Sequence, residues 1–172
     1  MSETTTAVQE THFAGIIIFR QGQEGEVEFF VLDSDHRGVI TTKFPGGMNE
    51  PGEPPEETVR REAREEGGYK DVAFWGPVYN LEIVGTHHQK IFFATHGISN
   101  NLRGQPRQEK ILDGEDTLYP PRWIGSGEAL AVLAYYHRKA LLEAIAPMAR
   151  FDPKGFGVMA LADPVLARFV RQ

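Results

Sequence analysis

The chain has 172 residues, of which 41% are hydrophobic and 24% charged, and this size and composition predict one globular domain. A formal net charge of -6 gives no electrostatic reason to bind nucleic acid in bulk, and the absence of cysteine excludes disulfides, thiolate metal sites and thiol nucleophiles. The longest apolar run, residues 13–19, is far shorter than the roughly 20 residues that cross a bilayer, so no membrane partner is predicted. The polar N-terminus lacks the features of a secretory signal, which predicts a cytoplasmic protein.

The first part of the sequence predicts a β-sheet. Residues 13–20 and 26–33 are rich in β-branched and aromatic residues, and the turn-forming segment 21–25 separates them, which predicts paired strands. A short strand at 38–42 leads into Phe44-Pro45-Gly46-Gly47, where proline and glycine predict a sharp turn. Further strands are predicted at 72–75, 79–85 and 90–96, with a turn at 87–89, and a last one at 122–124.

Three segments are predicted to be helical. In residues 54–66, two prolines suit the first turn, acidic residues complement the positive end of the helix, and a Gly-Gly pair ends it. A second helix begins at Ser126 and has apolar residues at helical spacing as far as Ile145, and a third runs from Asp163 to Phe169. Alternating strands with helices on both faces predict an α/β fold, a three-layer α/β/α sandwich with a mixed sheet between the helices.

The predicted helix 54–66 carries three carboxylates on one side. Glu62, Glu65 and Glu66 stand at positions i, i+3 and i+4, so their side chains can reach a common point. Like charges at this spacing repel each other, and a bound cation would remove the repulsion. Because the ligands are hard oxygens without histidine or cysteine, the pattern favours Mg²⁺ or Mn²⁺ over zinc.

A simpler interpretation of the same helix is a solvated face with ion pairs. Glu56 with Arg60, Glu57 with Arg61, and Arg61 with Glu65 all have i, i+4 spacing, and a run of charge is usually just such a surface. The helix by itself therefore leaves both interpretations open.

The residues around the helix decide between them. From Gly47 the sequence has five residues, Glu53, seven residues, and then the run 61–69, which reads REAREEGGY. This resembles the Nudix box, GX5EX7REUXEEXGU, at every fixed position, with Ala63 and Tyr69 at the two bulky apolar positions U. The strands of residues 12–146 also follow the order of the Nudix sandwich fold.

The resemblance implies a division of the chain and a metal site. We expect a flexible N-terminal segment at 1–11, a Nudix hydrolase domain at 12–150, and a C-terminal extension at 151–172 whose short helix packs on the domain or on a dimer partner. Glu62, Glu65, Glu66 and a backbone carbonyl at Gly46 would bind one to three Mg²⁺ or Mn²⁺ ions. Either Glu62 or Glu65 would be the catalytic base.

The resemblance also assigns supporting residues. Glu53 and Arg61 would form the structural ion pair of the box, which orients the carboxylates. The polar segment 98–121 is long for a connection without a function, and it supplies further candidates. An additional ligand or base would come from its acidic residues, Glu109, Asp113, Glu115 and Asp116. Glu115 is favoured because related enzymes often carry a glutamate shortly before the tryptophan strand, here at Trp123. Candidate phosphate contacts are Arg103, Arg107 and Lys110.

A Nudix hydrolase cleaves a diphosphate bond in a nucleoside diphosphate derivative by attack of a metal-activated water. Because residues 44–47 resemble the loop of the branch that acts on (d)NTPs, a (d)NTP or related nucleotide is the expected substrate and small-molecule partner. Alternative substrates are nucleotide sugars, ADP-ribose and dinucleoside polyphosphates. A different class of function is a non-catalytic module that senses nucleotides or binds protein. The chain is expected to be a monomer or a homodimer.

Overall fold

A computed structural model describes residues 10–86 and 88–171. The strands within this part of the chain are β1 (Thr11–Gln21), β2 (Val27–His36), β3 (Val39–Lys43), β4 (Gly46–Met48), β5 (Tyr69–Val72), β6 (Trp75–Ile83), β7 (His88–His96), β8 (Leu102–Gly104), β9 (Ile111–Asp113), β10 (Asp116–Leu118) and β11 (Arg122–Gly125). The helices are α1 (Pro55–Glu65), α2 (Ser126–Val132), α3 (Tyr135–Phe151), α4 (Val158–Ala162) and α5 (Ala167–Val170), with a π-helical turn at Pro153–Gly157.

Two sequence predictions involve residues outside the described part. The segment 1–11, predicted to be flexible, lies outside it except for Glu10 and Thr11, and β1 begins at Thr11. His87, in the predicted turn 87–89, also lies outside.

The large sheet is mixed. Its strands follow the order β6-β7-β1-β2-β10-β9, while β3 and β11 also pair with β2, and β4 pairs with β1. The central pair, β1 and β7, is parallel, and the other neighbours are antiparallel. A separate two-stranded sheet joins β5 to β8. No helix in the described residues is long and apolar enough to span a membrane.

Strand β1 is buried on both faces of the sheet, which makes it the centre of the three layers. Ile16 and Ile18 point to the face covered by α1, and Ile17 and Phe19 point to the face covered by α3. Side chains alternate between the faces of a strand, so two apolar faces need a helix layer on each side. Each of these fully buried side chains contributes roughly 1.5–3 kcal/mol of burial free energy. The predicted α/β/α sandwich is confirmed.

The helix predicted from Ser126 to Ile145 is two helices, α2 and α3. Between them Leu133 leaves helical conformation and forms a β-bridge with Thr42 of β3, and the Ala134 N–H donates to the Thr42 carbonyl at 2.9 Å. A long-range backbone pairing therefore interrupts the helical pattern, and helical periodicity contains no signal for such a pairing.

The segment after α3 packs into the domain's own core. Phe156, Met159 and Leu166 belong to the same apolar cluster as the inner side of α3. The helix predicted at 163–169 appears as α5, which begins four residues later, at Ala167. Asp163 still acts at the start of this turn, because its Oδ1 accepts the N–H of Val165 at 2.8 Å.

Candidate active site

Strand β4 brings the first residues of the box against the centre of the sheet. Gly46 pairs with Gly15 of β1 so closely that a Cβ at Gly46 would lie 2.7 Å from the Gly15 Cα. A Cβ at Gly47 would overlap the Glu62 carboxylate. The neighbouring backbone therefore requires glycine at position 46, and a side chain at position 47 would displace the Glu62 carboxylate.

The turn before β4 is fixed by a residue that the sequence analysis did not identify. The Phe44 N–H donates to Nδ1 of His137 on α3 at 3.1 Å, and the Ile16 N–H donates to the Pro45 carbonyl at 3.0 Å. Burial lowers the pKa of His137 to about 3, so the ring is neutral and Nδ1 can accept. Helical spacing along this part of the sequence gives no sign of the hydrogen bond to Phe44.

Glu62 and Glu65 of α1 and Glu66, which caps the helix, line one cavity of about 270 Å³. Glu62 and Glu66 are buried, with 6% and 2% of their surface exposed, whereas Glu65 is exposed at the rim. The opposite wall comes from the hairpin β9–β10 and consists of Ile111, Leu112, Asp113 and Leu118. The cavity therefore has four carboxylates at its wall, on an otherwise apolar lining.

Burial of two like charges disfavours the ionised state of the glutamates. The pKa of Glu62 is raised to about 7, first by burial and then by the neighbouring Glu66 charge, although Arg61 opposes the shift. Burial also raises the pKa of Glu66, while Lys43 lowers it. These shifts show that the pocket needs positive charge to keep both acids ionised near neutral pH.

Arg61 supplies part of that charge and fixes the helix to the loop before it. Its Nε donates to Glu53 Oε1 at 2.9 Å and its Nη2 to Glu53 Oε2 at 3.0 Å, a bidentate pair. Nη1 donates to Glu62 Oε1 at 2.6 Å and to Glu65 Oε2 at 3.3 Å. The guanidinium thus sets the positions of the helix carboxylates relative to Glu53.

Glu53 is itself well supplied with donors. Besides Arg61, its Oε2 accepts the Glu50 N–H and the Thr58 hydroxyl, both at 2.9 Å. The hydrogen bond from Arg61 is the main cause that lowers the pKa of Glu53 to about 2. The pair therefore stays ionised across the physiological pH range. On the exposed side of the helix, Glu57 pairs with Arg60 at 2.8 Å rather than with Arg61.

Lys43 is a second cation in the site, and no sequence pattern pointed to it. Its Nζ donates to Glu66 Oε1 at 2.7 Å and to the Gly46 carbonyl at 3.0 Å. The other oxygen of Glu66 accepts the Gly46 N–H at 2.9 Å. Lys43 directly precedes the glycine turn, residues 44–47, so only the fold of that turn brings its ammonium group to the carboxylates.

Arg107 ties the segment 98–121 to the end of α1. It donates to backbone carbonyls of Glu66 at 3.0 Å and Tyr119 at 3.0 Å, and also to the carbonyl of Glu109. Its predicted role was a phosphate contact, but in this arrangement the guanidinium is used within the protein. The bonds fix the hairpin that forms the cavity wall.

The remaining loop candidates lie in different places. Asp113 lines the cavity, and Glu115, which the sequence analysis favoured, does not; its carboxylate pairs with Arg37 at 2.8 Å in the exposed turn region. Glu109 is exposed beside Arg107, and Arg103 is exposed on β8. The ammonium group of Lys110 lies 5.5 Å above the Tyr119 ring. Which acidic loop residue reaches the cavity therefore depends on its position in the fold and not on its distance from Trp123 in the sequence.

The donor set suits a hard divalent cation. In residues 10–86 and 88–171, no group of three or more acidic or histidine side chains already encloses a metal position. Lys43 and Arg61 bind Glu66 and Glu62 instead. The oxygens that line the cavity belong to carboxylates, and the Gly46 carbonyl shares the Lys43 ammonium group with Glu66. Carboxylate and carbonyl oxygens are the ligands that Mg²⁺ and Mn²⁺ prefer.

The NUDIX domain family model matches residues 11–143, which is more than half of the chain. The chain belongs to the Nudix family. The resemblance of residues 47–69 to the Nudix box is thereby confirmed, and family membership identifies this Nudix chain as a pyrophosphohydrolase. The match ends inside α3, so the C-terminal segment lies beyond it.

Solved structures show the same fold. A NUDIX-family structure from Listeria monocytogenes has a TM-score of 0.62 and 20% identity, covering 82% of this chain and 96% of that one. The NUDIX domain of Shewanella oneidensis NrtR, complexed with ADP ribose, has a TM-score of 0.59 and 13% identity, covering 80% and 87%. A Caenorhabditis elegans Ap4A hydrolase has a TM-score of 0.57 and 18% identity, covering 82% and 99%. No curated protein sequence matches this Nudix chain.

Proposed function

We propose that the protein is a metal-dependent pyrophosphohydrolase that cleaves a diphosphate bond in a (d)NTP or related nucleotide. The observation that carries the proposal is the cavity at the end of α1, which Glu62, Glu65 and Glu66 share with Asp113. An acidic cavity by itself repels an anionic diphosphate, so substrate binding there requires cations.

Glu62, Glu66 and the Gly46 carbonyl would hold the metal, with Asp113 or Glu65 completing the oxygen ligands. A bound divalent cation supplies positive charge that offsets the phosphate charge in the transition state and makes water more acidic. The Arg61–Glu53 ion pair holds α1 in a fixed position relative to residues 44–47. The glutamates of the helix and the Gly46 carbonyl would thereby stay in place as ligands.

Glu65 is the residue that we assign as general base. Its side chain is 57% exposed, and it forms an ion pair with Arg61 at 3.3 Å. Glu62, the other candidate, is less accessible to an attacking water, because only 6% of its surface is exposed. In the proposed step, water attacks phosphorus, the bond to the bridging oxygen breaks, the leaving phosphate takes the electron pair, and Glu65 accepts the water proton.

Residues 44–47 support the assignment of a (d)NTP, because they resemble the loop of that branch of the family. The solved structures of similar fold bind or act on different compounds, ADP ribose and Ap4A among them, so fold similarity does not select among substrates. Nucleotide sugars, ADP-ribose and dinucleoside polyphosphates are therefore the competing substrate classes.

The deciding experiment is a panel of these nucleotides, with phosphate and pyrophosphate release measured with and without Mg²⁺ or Mn²⁺. We expect release from a (d)NTP that requires the metal. Faster metal-dependent release from another class would replace the substrate assignment and leave the chemistry intact. Nucleotide binding without release from any member, metal present, would identify a non-catalytic sensor.

A further inference from the structure

The ammonium group of Lys43 occupies the point where two oxygens of the proposed metal site converge. Its Nζ lies 2.7 Å from Glu66 Oε1 and 3.0 Å from the Gly46 carbonyl oxygen. Both oxygens are ligands in the metal site of the proposed function. The chain therefore places its own cation against the same pair of oxygens that a metal ion would use.

The contact is buried on both sides. The Lys43 side chain is 19% exposed and that of Glu66 only 3%. Because burial disfavours a lone carboxylate, Glu66 needs a cation whether or not a metal is present. The Gly46 N–H satisfies its other oxygen at 2.9 Å, so Lys43 is the exchangeable partner and the backbone is the fixed one.

We propose that Lys43 is a resident cation that keeps Glu66 and the Gly46 carbonyl oriented in the metal-free protein and leaves them when a divalent cation binds. This inference rests on the proposed function, because it takes the metal ligands from it. An ammonium group and a metal ion on the same two oxygens would repel each other at contact distance in a buried site, so the metal ion takes the place of the ammonium group. Lys43 is accordingly a positioning residue that competes with the metal.

If Lys43 competes with the metal, removing its charge should strengthen metal binding and weaken the stability of the metal-free protein. In Lys43→Met the metal no longer displaces an ammonium group, so the substrate-free protein should bind Mn²⁺ about tenfold more tightly, within the 5–150-fold range typical of coupling between two ligands. The metal-free variant should melt at a lower temperature than the wild type, because Glu66 loses its partner. Saturating Mn²⁺ should reduce that difference.

The measurement is calorimetric titration of Mn²⁺ into wild type and Lys43→Met without nucleotide, in mildly alkaline buffer where competing protons are scarce. Lys154→Met is the matched control, because Lys154 is an exposed lysine on the C-terminal segment and its loss changes the net charge equally. Unchanged or weaker binding by Lys43→Met, relative to that control, would overturn the role of Lys43 and leave the proposed function standing. No Mn²⁺ binding by the wild type would overturn the metal site itself and this inference with it.

A second measurement uses the unmodified protein, in case Lys43→Met does not fold. An amine-reactive acylating reagent should modify Lys43 slowly in the metal-free protein and several times faster with Mn²⁺, because the metal releases the amine from its two oxygens. Lys154 in the same peptide digest is the internal reference, and its rate should not depend on metal. A Lys43 rate that stays constant or falls with Mn²⁺ would refute displacement.

Discussion

Two carboxylates are almost completely buried on opposite sides of the sheet, and their partners differ in kind. Glu66, 2% exposed, has the ammonium group of Lys43 and a single backbone N–H. Asp163, 1% exposed, is held by neutral donors and pairs with no cation in residues 10–86 and 88–171. Its donors are at 2.8–3.2 Å, three backbone N–H groups and one hydroxyl, from Val27, Val165, Leu166 and Ser126.

The difference separates a structural acid from a functional one. Fixed backbone donors satisfy Asp163 completely, and they join β2, α2 and the C-terminal segment, so exchange of a partner would cost folding free energy. Glu66 relies on a flexible side chain that another cation can replace. We therefore expect substitutions near the cavity to affect hydrolysis and metal binding, and substitutions at Asp163 to affect stability.

The largest expected effect is on the rate of hydrolysis. Glu65→Gln should lower kcat by about 10³-fold, since general-base catalysis is typically worth 10²–10⁴-fold. Its melting temperature should be that of the wild type, because the side chain is exposed. Glu57→Gln, the same change at an exposed position of the same helix, should hydrolyse at the native rate. Native kcat in Glu65→Gln would reject Glu65 as the base and make Glu62 the candidate.

At Asp163, the other buried acid, substitution should change stability and leave the hydrolysis rate unchanged. Asp163→Ala should lower the free energy of unfolding by about 3 kcal/mol, because four donors, three of them in buried hydrogen bonds, lose their acceptor. The activity of the folded fraction should be unchanged. Urea titration and a rate per folded molecule, measured together, test this; Asp163→Asn, which keeps one acceptor oxygen, should fall between the two. A folded Asp163→Ala variant without activity would show that the two sides of the sheet are not independent.

Glu53 is an acid that pairs with a cation but has no proposed part in catalysis, so its substitution should affect stability. Glu53→Gln should lower the free energy of unfolding by about 2 kcal/mol near neutral pH, because it removes a charged, bidentate partner of Arg61. The pKa of Glu53 is lowered from 4.5 to about 2, so its contribution is present above pH 4.5 and is lost as the pH falls through 2. Unfolding curves of wild type and variant should therefore converge in acid. A constant difference at all pH values would contradict this.

The smallest effect is the pH dependence of metal affinity. Glu62 has a pKa raised to about 7, and a metal ligand must be ionised to bind. Below pH 7 the proton competes with the metal, so Mn²⁺ affinity should fall by about tenfold per pH unit. Without metal the sign for stability is opposite: the pKa of Glu62 is raised in the folded protein, so the metal-free protein is more stable in acid and loses that contribution as the pH rises from 4.5 through 7. Titrations at several pH values would show this slope, and a flat profile would exclude Glu62 as a ligand.

The sequence predicted the parts of the site that depend on local spacing. Glu62, Glu65 and Glu66 reach one cavity because residues at i, i+3 and i+4 share a helix face. The fold class was also predictable, because β1 has an apolar residue at every central position and needs a helix layer on each face. Ends of elements were less predictable, as the break at Leu133 shows, because they depend on partners far along the chain.

By itself, the sequence determined the box, the helix that carries it, and the kind of ligands available for a cation. Only the tertiary structure decided which distant residues join them: Lys43 at the glycine turn, Asp113 rather than Glu115 at the cavity wall, and Arg107 bound to carbonyls. The physical reason is that helical geometry fixes neighbours within a turn from spacing alone. Contacts across 20 or more residues depend on how strands pair and where turns direct a side chain, which no local pattern encodes.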